Sequence, residues 1–135
     1  MPTLSTYEYA YVRVMPRVEQ GEFLNAGVIL FCRTRRFLAT RLHVDPQKLA
    51  LLAPALDLAT VQEQLDLFPR ICAGEGPIGQ LGQAEAFHWL VAPHSTVIQT
   101  SPVHAGLCAE PAKTLAALVN KMRNTEYGIR NDLQR

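Results

Sequence analysis

The chain has 135 residues, of which 48% are hydrophobic and 19% are charged, and its net charge is +1. This length suits a single domain, and the apolar content excludes wholesale disorder. The small net charge excludes polyanion binding through overall charge alone. The longest apolar run, residues 26–32, is far shorter than the roughly 20 residues of a membrane helix. We therefore expect a cytoplasmic protein without a membrane segment.

The charges are unevenly distributed along the chain. Residues 11–48 carry a net charge of +4, residues 49–110 carry −5, and residues 111–135 carry +3. One consequence would be a dipolar surface that supports electrostatic docking. The alternative is that the three segments neutralise each other across the fold.

The cysteines bear on the redox environment. They are odd in number, widely spaced and surrounded by apolar residues: Cys32, Cys72 and Cys108. This pattern favours reduced, buried thiols in a cytosol over a disulfide framework.

Three strands are predicted in the first third of the chain. Residues 7–14 alternate between two faces and are rich in tyrosine and valine, which is typical of a strand. Residues 26–32 are continuously apolar, as in a strand covered on both faces. Residues 37–44 resume a strand-like run after the polar segment 33–36, so the second and third strands should form a hairpin.

Helices are predicted in the middle of the chain. Asp45 followed by Pro46 is typical of a helix start, and this helix should run to about residue 53. Asp57 can cap a second helix, which Pro69 should end or kink. One face of this helix is apolar: Leu58, Val61, Leu65 and Phe68.

A glycine-rich loop separates these helices from the next elements. Residues 74–82 read as the loop, and residues 84–91 suit a short helix that carries Trp89. If the Trp89 ring belongs to the core, Trp89→Ala should cost about 3–5 kcal/mol, whereas a loss under about 1 kcal/mol would mean an exposed ring. Residues 96–100 should form a fourth strand.

Pro111 should open the last helix, whose expected buried stripe is Leu115, Leu118, Val119 and Met122. We therefore predict an α+β domain over residues 1–123, with a mainly antiparallel sheet of about four strands and helices packed on one side. Residues 124–135 are expected to be a polar C-terminal tail.

Metal and cofactor chemistry finds little support in the sequence. Potential ligands fall in one stretch, without the closely paired spacing of zinc sites: His88, His94, His104 and Cys108. We therefore predict no metal and no cofactor. Ser101 and His104 are weak catalytic candidates, and a turn in which Ser101 bonds to the backbone is the simpler interpretation.

A basic cluster is the most notable charged feature. Four arginines lie on or beside the predicted hairpin: Arg33, Arg35, Arg36 and Arg41. The neighbouring strand carries a row of tyrosines and an arginine: Tyr7, Tyr9, Tyr11 and Arg13. Stacking rings beside a charged edge would suit single-stranded nucleic acid. Alternatively, the arginines solubilise a hairpin tip and the tyrosines half-bury against helices.

Two long blocks, residues 7–32 and 87–104, resemble the bacterial domain-of-unknown-function family 3037. With Gly106, Leu107 and the final helix, the resemblance covers nearly the whole chain. It implies no established enzyme activity, and it implies an accessory role beside a partner similar to HipA-type kinases.

If the two blocks meet in space, polar residues from both would line one cleft: Arg13, Arg17, Glu22, Asn25, Ser101 and His104. We therefore expect a non-enzymatic interaction module for a partner protein. The alternatives are a nucleic-acid-binding or processing protein that uses the arginine hairpin, and a small hydrolase or transferase that uses Ser101 and His104.

Overall fold

The computed structural model describes residues 3–16, 22–93 and 97–123, together with the backbone of residues 127–129. Its strands are β1 (Ser5–Val14), β2 (Glu22–Cys32), β3 (Phe37–Leu42), β4 (Ile98–Thr100), β5 (His104–Cys108) and β6 (Tyr127–Ile129). Its helices are α1 (Pro46–Leu52), α2 (Leu58–Cys72), α3 (Gly76–Gly79), α4 (Gln83–Val91) and α5 (Pro111–Arg123).

The described strands form one antiparallel sheet around the β1–β2 pair. The other edge of β2 pairs with β3 and β6, and the other edge of β1 pairs with β4 and β5. The α+β prediction is therefore confirmed, although six strands fill about four strand positions, because β4 and β5 share one edge and β3 and β6 share the other. β5 was not predicted from the sequence, and neither was β6, because residues 127–129 fall in the predicted polar tail.

A β-bulge interrupts β2 near its start. Val12 pairs with Gly27 and Arg13 pairs with Asn25, so Ala26 is the extra residue of β2. The Ala26 carbonyl oxygen accepts a hydrogen bond from the His43 N–H at 2.7 Å. The bulge offsets by one residue the alternation of β2 side chains between the two faces of the sheet. The buried apolar side chains before and after Ala26 therefore still point into the apolar cores.

The first face of the sheet packs against α1, α2 and α4. Their buried apolar side chains meet those of β1 and β2, and the shared core includes Val12, Ile29, Leu65 and Phe87. The apolar stripe of α2 supplies much of this layer, and Leu58 alone of its predicted members is exposed. Burial of such side chains is the main stabilising contribution to the fold.

The second face of the sheet is covered by α5, so the prediction that helices pack on one side is wrong. α5 lies over β2 and β3 and buries Leu115, Val119 and Met122 against Val28 and Leu30. The physical reason is that β2 is apolar on both faces, and each face needs its own covering layer. The continuously apolar run at residues 26–32 had already indicated a strand that is covered on both faces.

Helix boundaries follow the predicted caps at Asp45 and Asp57. The Asp45 carboxylate accepts hydrogen bonds from the backbone N–H groups of Gln47 and Lys48, and Asp57 accepts one from Ala59. The prediction was that Pro69 ends or kinks α2, and the helix does not end there, because it continues to Cys72. Pro69 lies in the last turn, so the i→i−4 hydrogen bond that it removes is followed by only three helical residues.

One further detail differs from expectation, and a second decides between the two positions considered for the Trp89 ring. The predicted glycine-rich loop contains the short helix α3. Trp89 lies on the outer side of α4 with 45% of its surface exposed, whereas Phe87 is fully buried and stacks on Phe31 with ring centroids 5.3 Å apart.

Among the described helices, none is long and apolar enough to cross a bilayer.

Candidate binding surface on the second face

A row of aromatic and basic side chains lies on the second face of the sheet, beside α5. We call it the tyrosine strip, and it consists of Tyr7, Tyr9, Tyr11 and Arg13 of β1 with His104 of β5. The period of two along β1 places its four members on one face. Because α5 covers β2 and β3, the three tyrosines are only partly buried.

The rings of the strip form a continuous series of contacts. Tyr9 lies at its centre, with its ring centroid 5.8 Å from those of Tyr7 and Tyr11 and 5.3 Å from that of His104. The Tyr9–Tyr11 pair is edge to face, which is a favourable arrangement for aromatic rings. These contacts fix the rings in position before any ligand binds.

The hydroxyls of Tyr7 and Tyr11 remain protonated well above neutral pH, because their pKa values are raised. Burial raises the pKa of Tyr7, and the neighbouring Tyr9 raises it further. Burial also raises the pKa of Tyr11, again with a contribution from Tyr9, while Arg13 acts in the opposite direction. At neutral pH Tyr7 and Tyr11 therefore present neutral hydroxyl donors and acceptors.

Arg13 lies at one end of the strip and is held by residues of β2. Its Nε donates a hydrogen bond to Asn25 Oδ1 at 3.2 Å, and its guanidinium carbon lies 4.0 Å from the centroid of the Phe23 ring. Burial lowers the pKa of Arg13. Arg13 and Asn25 were predicted as site residues but Phe23 was not, because the bulge at Ala26 determines which β2 side chains lie beside Arg13.

Three of the four hairpin arginines take up separate positions around the hairpin tip. Arg35 donates hydrogen bonds to Ser5 Oγ, at 3.1 Å, and to the Thr3 carbonyl oxygen, which places it near the Tyr7 end of the strip. Arg33 lies 5.6 Å from the centroid of the Phe31 ring on the first face. Arg36 occupies the turn with φ of 51°.

Arg41, the fourth hairpin arginine, lies on β3. It pairs with Val28 across the β2–β3 register, which places it on the second face, and it is exposed. The four arginines therefore do not form one patch. Arg35 and Arg41 lie on the side of the sheet that carries the strip, and Arg33 lies on the other side.

Ser101 has a structural role at the gap between β4 and β5. Its Oγ accepts a hydrogen bond from the Tyr11 N–H at 2.8 Å and donates one to the Pro102 carbonyl oxygen at 2.9 Å. The Ser101 N–H in turn donates to the Tyr11 carbonyl oxygen at 2.9 Å. The side chain is buried, with 3% exposure, so its hydroxyl completes the ladder of β1.

No catalytic pair is formed by Ser101 and His104. Among the described residues, no hydrogen bond joins the Ser101 hydroxyl to the His104 ring, which lies against Tyr9 instead. This geometry favours the simpler interpretation, a turn in which Ser101 bonds to the backbone.

The predicted cleft is reproduced only in part. Arg13 and Asn25 are in contact, and His104 lies on the same face as Arg13. Ser101 is buried, and Arg17 lies outside the described residues. Within the described ranges, no group of three histidine, cysteine or acidic side chains is close enough to hold a metal ion, and His94 falls outside them.

Comparison with known protein families identifies the class of protein. The family model described as "Protein of unknown function (DUF3037)" matches residues 9–122. The chain belongs to this family, and the match begins at Tyr9 within β1 and includes every member of the tyrosine strip except Tyr7. Comparison with curated proteins and with solved structures finds no match.

Proposed function

We propose that the protein is a non-enzymatic interaction module that binds a partner protein through the tyrosine strip. The observation that supports this proposal is the row of preformed, partly exposed rings that ends in Arg13. Tyrosine and arginine are among the residue types that contribute most binding energy at protein interfaces. Rings already fixed by their neighbours lose little side-chain entropy on binding.

The partner to test first is a HipA-like kinase from the source organism, which follows from the family resemblance. We place the complex in the bacterial cytoplasm, where the three free cysteines would remain reduced. The protein would then act as an accessory subunit, and the strip would be its contact surface.

The test measures binding of the purified HipA-like kinase by isothermal titration calorimetry. Tyr9→Ser should weaken binding at least about tenfold, because a loss of 1.4 kcal/mol corresponds to a factor of ten. The matched control is Leu51→Ser, since Leu51 is 84% exposed on α1, on the other side of the sheet. Equal losses for the two variants would contradict the role of the strip, and no binding of the wild type would exclude this kinase.

A second candidate function is single-stranded nucleic-acid binding. It is favoured by the position of the rings between Arg35 at one end and Arg13 at the other, since bases stack on such rings and phosphates pair with arginine. Binding of a fluorescent oligothymidine should then weaken log-linearly as salt increases. Binding of a protein partner through the rings should persist at high salt.

A further inference from the structure

Arg13 is oriented by two contacts that leave one edge of its guanidinium group open. The Nε–H is committed to Asn25 Oδ1, and the Phe23 ring supports the guanidinium plane from below. A guanidinium group has five N–H donors, four of which belong to Nη1 and Nη2. The end formed by these two nitrogens is the edge that remains for a bidentate contact.

The positive charge of Arg13 is not neutralised by the described part of the chain. Among those residues no carboxylate lies within ion-pair distance of the guanidinium, and neither Nη atom makes a hydrogen bond. The side chain is nevertheless partly buried, and burial disfavours its charge. A partly desolvated charge without a counter-ion gains more from an anionic ligand than an exposed one does.

We propose that the Nη1–Nη2 edge of Arg13 is a binding site for a carboxylate, supplied by an aspartate or glutamate side chain of the partner protein. The planar fork of the guanidinium matches a planar carboxylate in a bidentate pair. One positive charge balances one carboxylate, whereas a phosphate dianion would require a second cation. The Tyr11 side chain lies two residues away on the same face and flanks the bound anion.

This inference rests on the proposed function only for the source of the carboxylate. The site itself belongs to the free protein, so it can be tested without the partner. The probe is sodium acetate, added to protein labelled with ¹⁵N-arginine at constant ionic strength. The observable is the Nε–Hε resonance of Arg13, assigned by its loss in Arg13→Lys.

Acetate should shift the Arg13 resonance along a saturable curve. Arg41 provides the internal control, because it is exposed on the same face and should show only a small, linear shift. Identical linear shifts for the two arginines would overturn the proposal. Saturation by inorganic phosphate at lower concentrations than acetate would also overturn it, and would favour the nucleic-acid function.

The contribution to partner binding is measured separately with the HipA-like kinase. Arg13→Lys should weaken binding about tenfold, since an ammonium group cannot form the bidentate pair, and Arg41→Lys should leave it unchanged. Unchanged binding by Arg13→Lys would contradict the partner as the source of the carboxylate. If acetate saturates Arg13 but the kinase does not bind, the site stands and the proposed partner fails.

Discussion

The ring of Tyr7 lies directly on the backbone of Gly106, across the β1–β5 pair. A methyl group at Gly106 would be 2.7 Å from the Tyr7 hydroxyl oxygen and 2.8 Å from the ring carbon Cζ. An aromatic ring that covers a cross-strand glycine compensates for the missing side chain. Gly106 therefore determines the position of the first ring of the tyrosine strip.

Substitution of this glycine should displace the ring. We expect Gly106→Ala to lower the free energy of unfolding by about 1–3 kcal/mol, as other overpacking substitutions do. Chemical denaturation measures the loss. In a Tyr7→Ser background the same substitution should cost less, with a coupling energy of about 0.5–3 kcal/mol. An identical cost in both backgrounds would show that the ring does not rest on Gly106.

Ser101→Ala should destabilise the protein because the buried Tyr11 N–H loses its hydrogen-bond acceptor. The expected loss is about 1–3 kcal/mol in the free energy of unfolding. His104→Ala, at an exposed position, should cost less than about 1 kcal/mol and serves as the comparison. If Ser101→Ala left stability unchanged, the hydroxyl would be available for another role, and the catalytic alternative would regain support.

Two aromatic residues of α4 should differ sharply in their contribution to stability. Phe87→Ala removes a fully buried ring and should cost about 3–5 kcal/mol. Trp89→Ala should cost about 1 kcal/mol, because nearly half of that side chain is exposed. Equal losses in urea denaturation would place the Trp89 ring in the core.

Alkaline pH should weaken the fold through Cys72. Burial raises the pKa of the Cys72 thiol from an ordinary value of 9.0 to about 11, although Thr40 Oγ1, at 3.2 Å from the sulfur, acts in the opposite direction. The folded state therefore favours the neutral thiol. This contribution is complete below about pH 9 and is lost as the pH rises to about 11, with a magnitude of roughly 2 kcal/mol.

The measurement is the free energy of unfolding of the wild type and of Cys72→Ala between pH 8 and 11. The variant should lose less stability over this interval than the wild type does. Some decline should remain, because burial also raises the pKa values of Tyr7, Tyr11 and Cys108. Parallel curves for the two proteins would contradict the assignment to Cys72.

Much of the architecture was predictable from local patterns. Alternation identified β1, the apolar run identified β2, and Asp45 and Asp57 marked two helix starts. β5 was missed because its five residues include Gly106 and only two strongly apolar side chains. The strand is stabilised instead by its pairing with β1, which is distant in sequence. Local propensity carries little information about such a strand.

The site was predictable as a set of residues but not as a geometry. The period of two placed Tyr7, Tyr9, Tyr11 and Arg13 together, which the structure confirms. The long arginine side chains of the hairpin could not be placed, because their direction depends on tertiary partners such as Ser5 for Arg35. Asn25 and Gly27 are typical of a turn or bulge at the start of β2, whereas the contact of Phe23 with Arg13 depends on the register that the bulge creates.

Site-specific photo-crosslinking tests the role of the tyrosine strip most directly. The photoreactive residue p-benzoylphenylalanine replaces Tyr9 in one protein and Leu51 in another, and both are expressed in cells of the source organism. We predict that one protein partner is crosslinked from position 9 and not from position 51, and that nuclease treatment leaves the adduct intact. The same adducts from both positions, or none from position 9, would contradict the account.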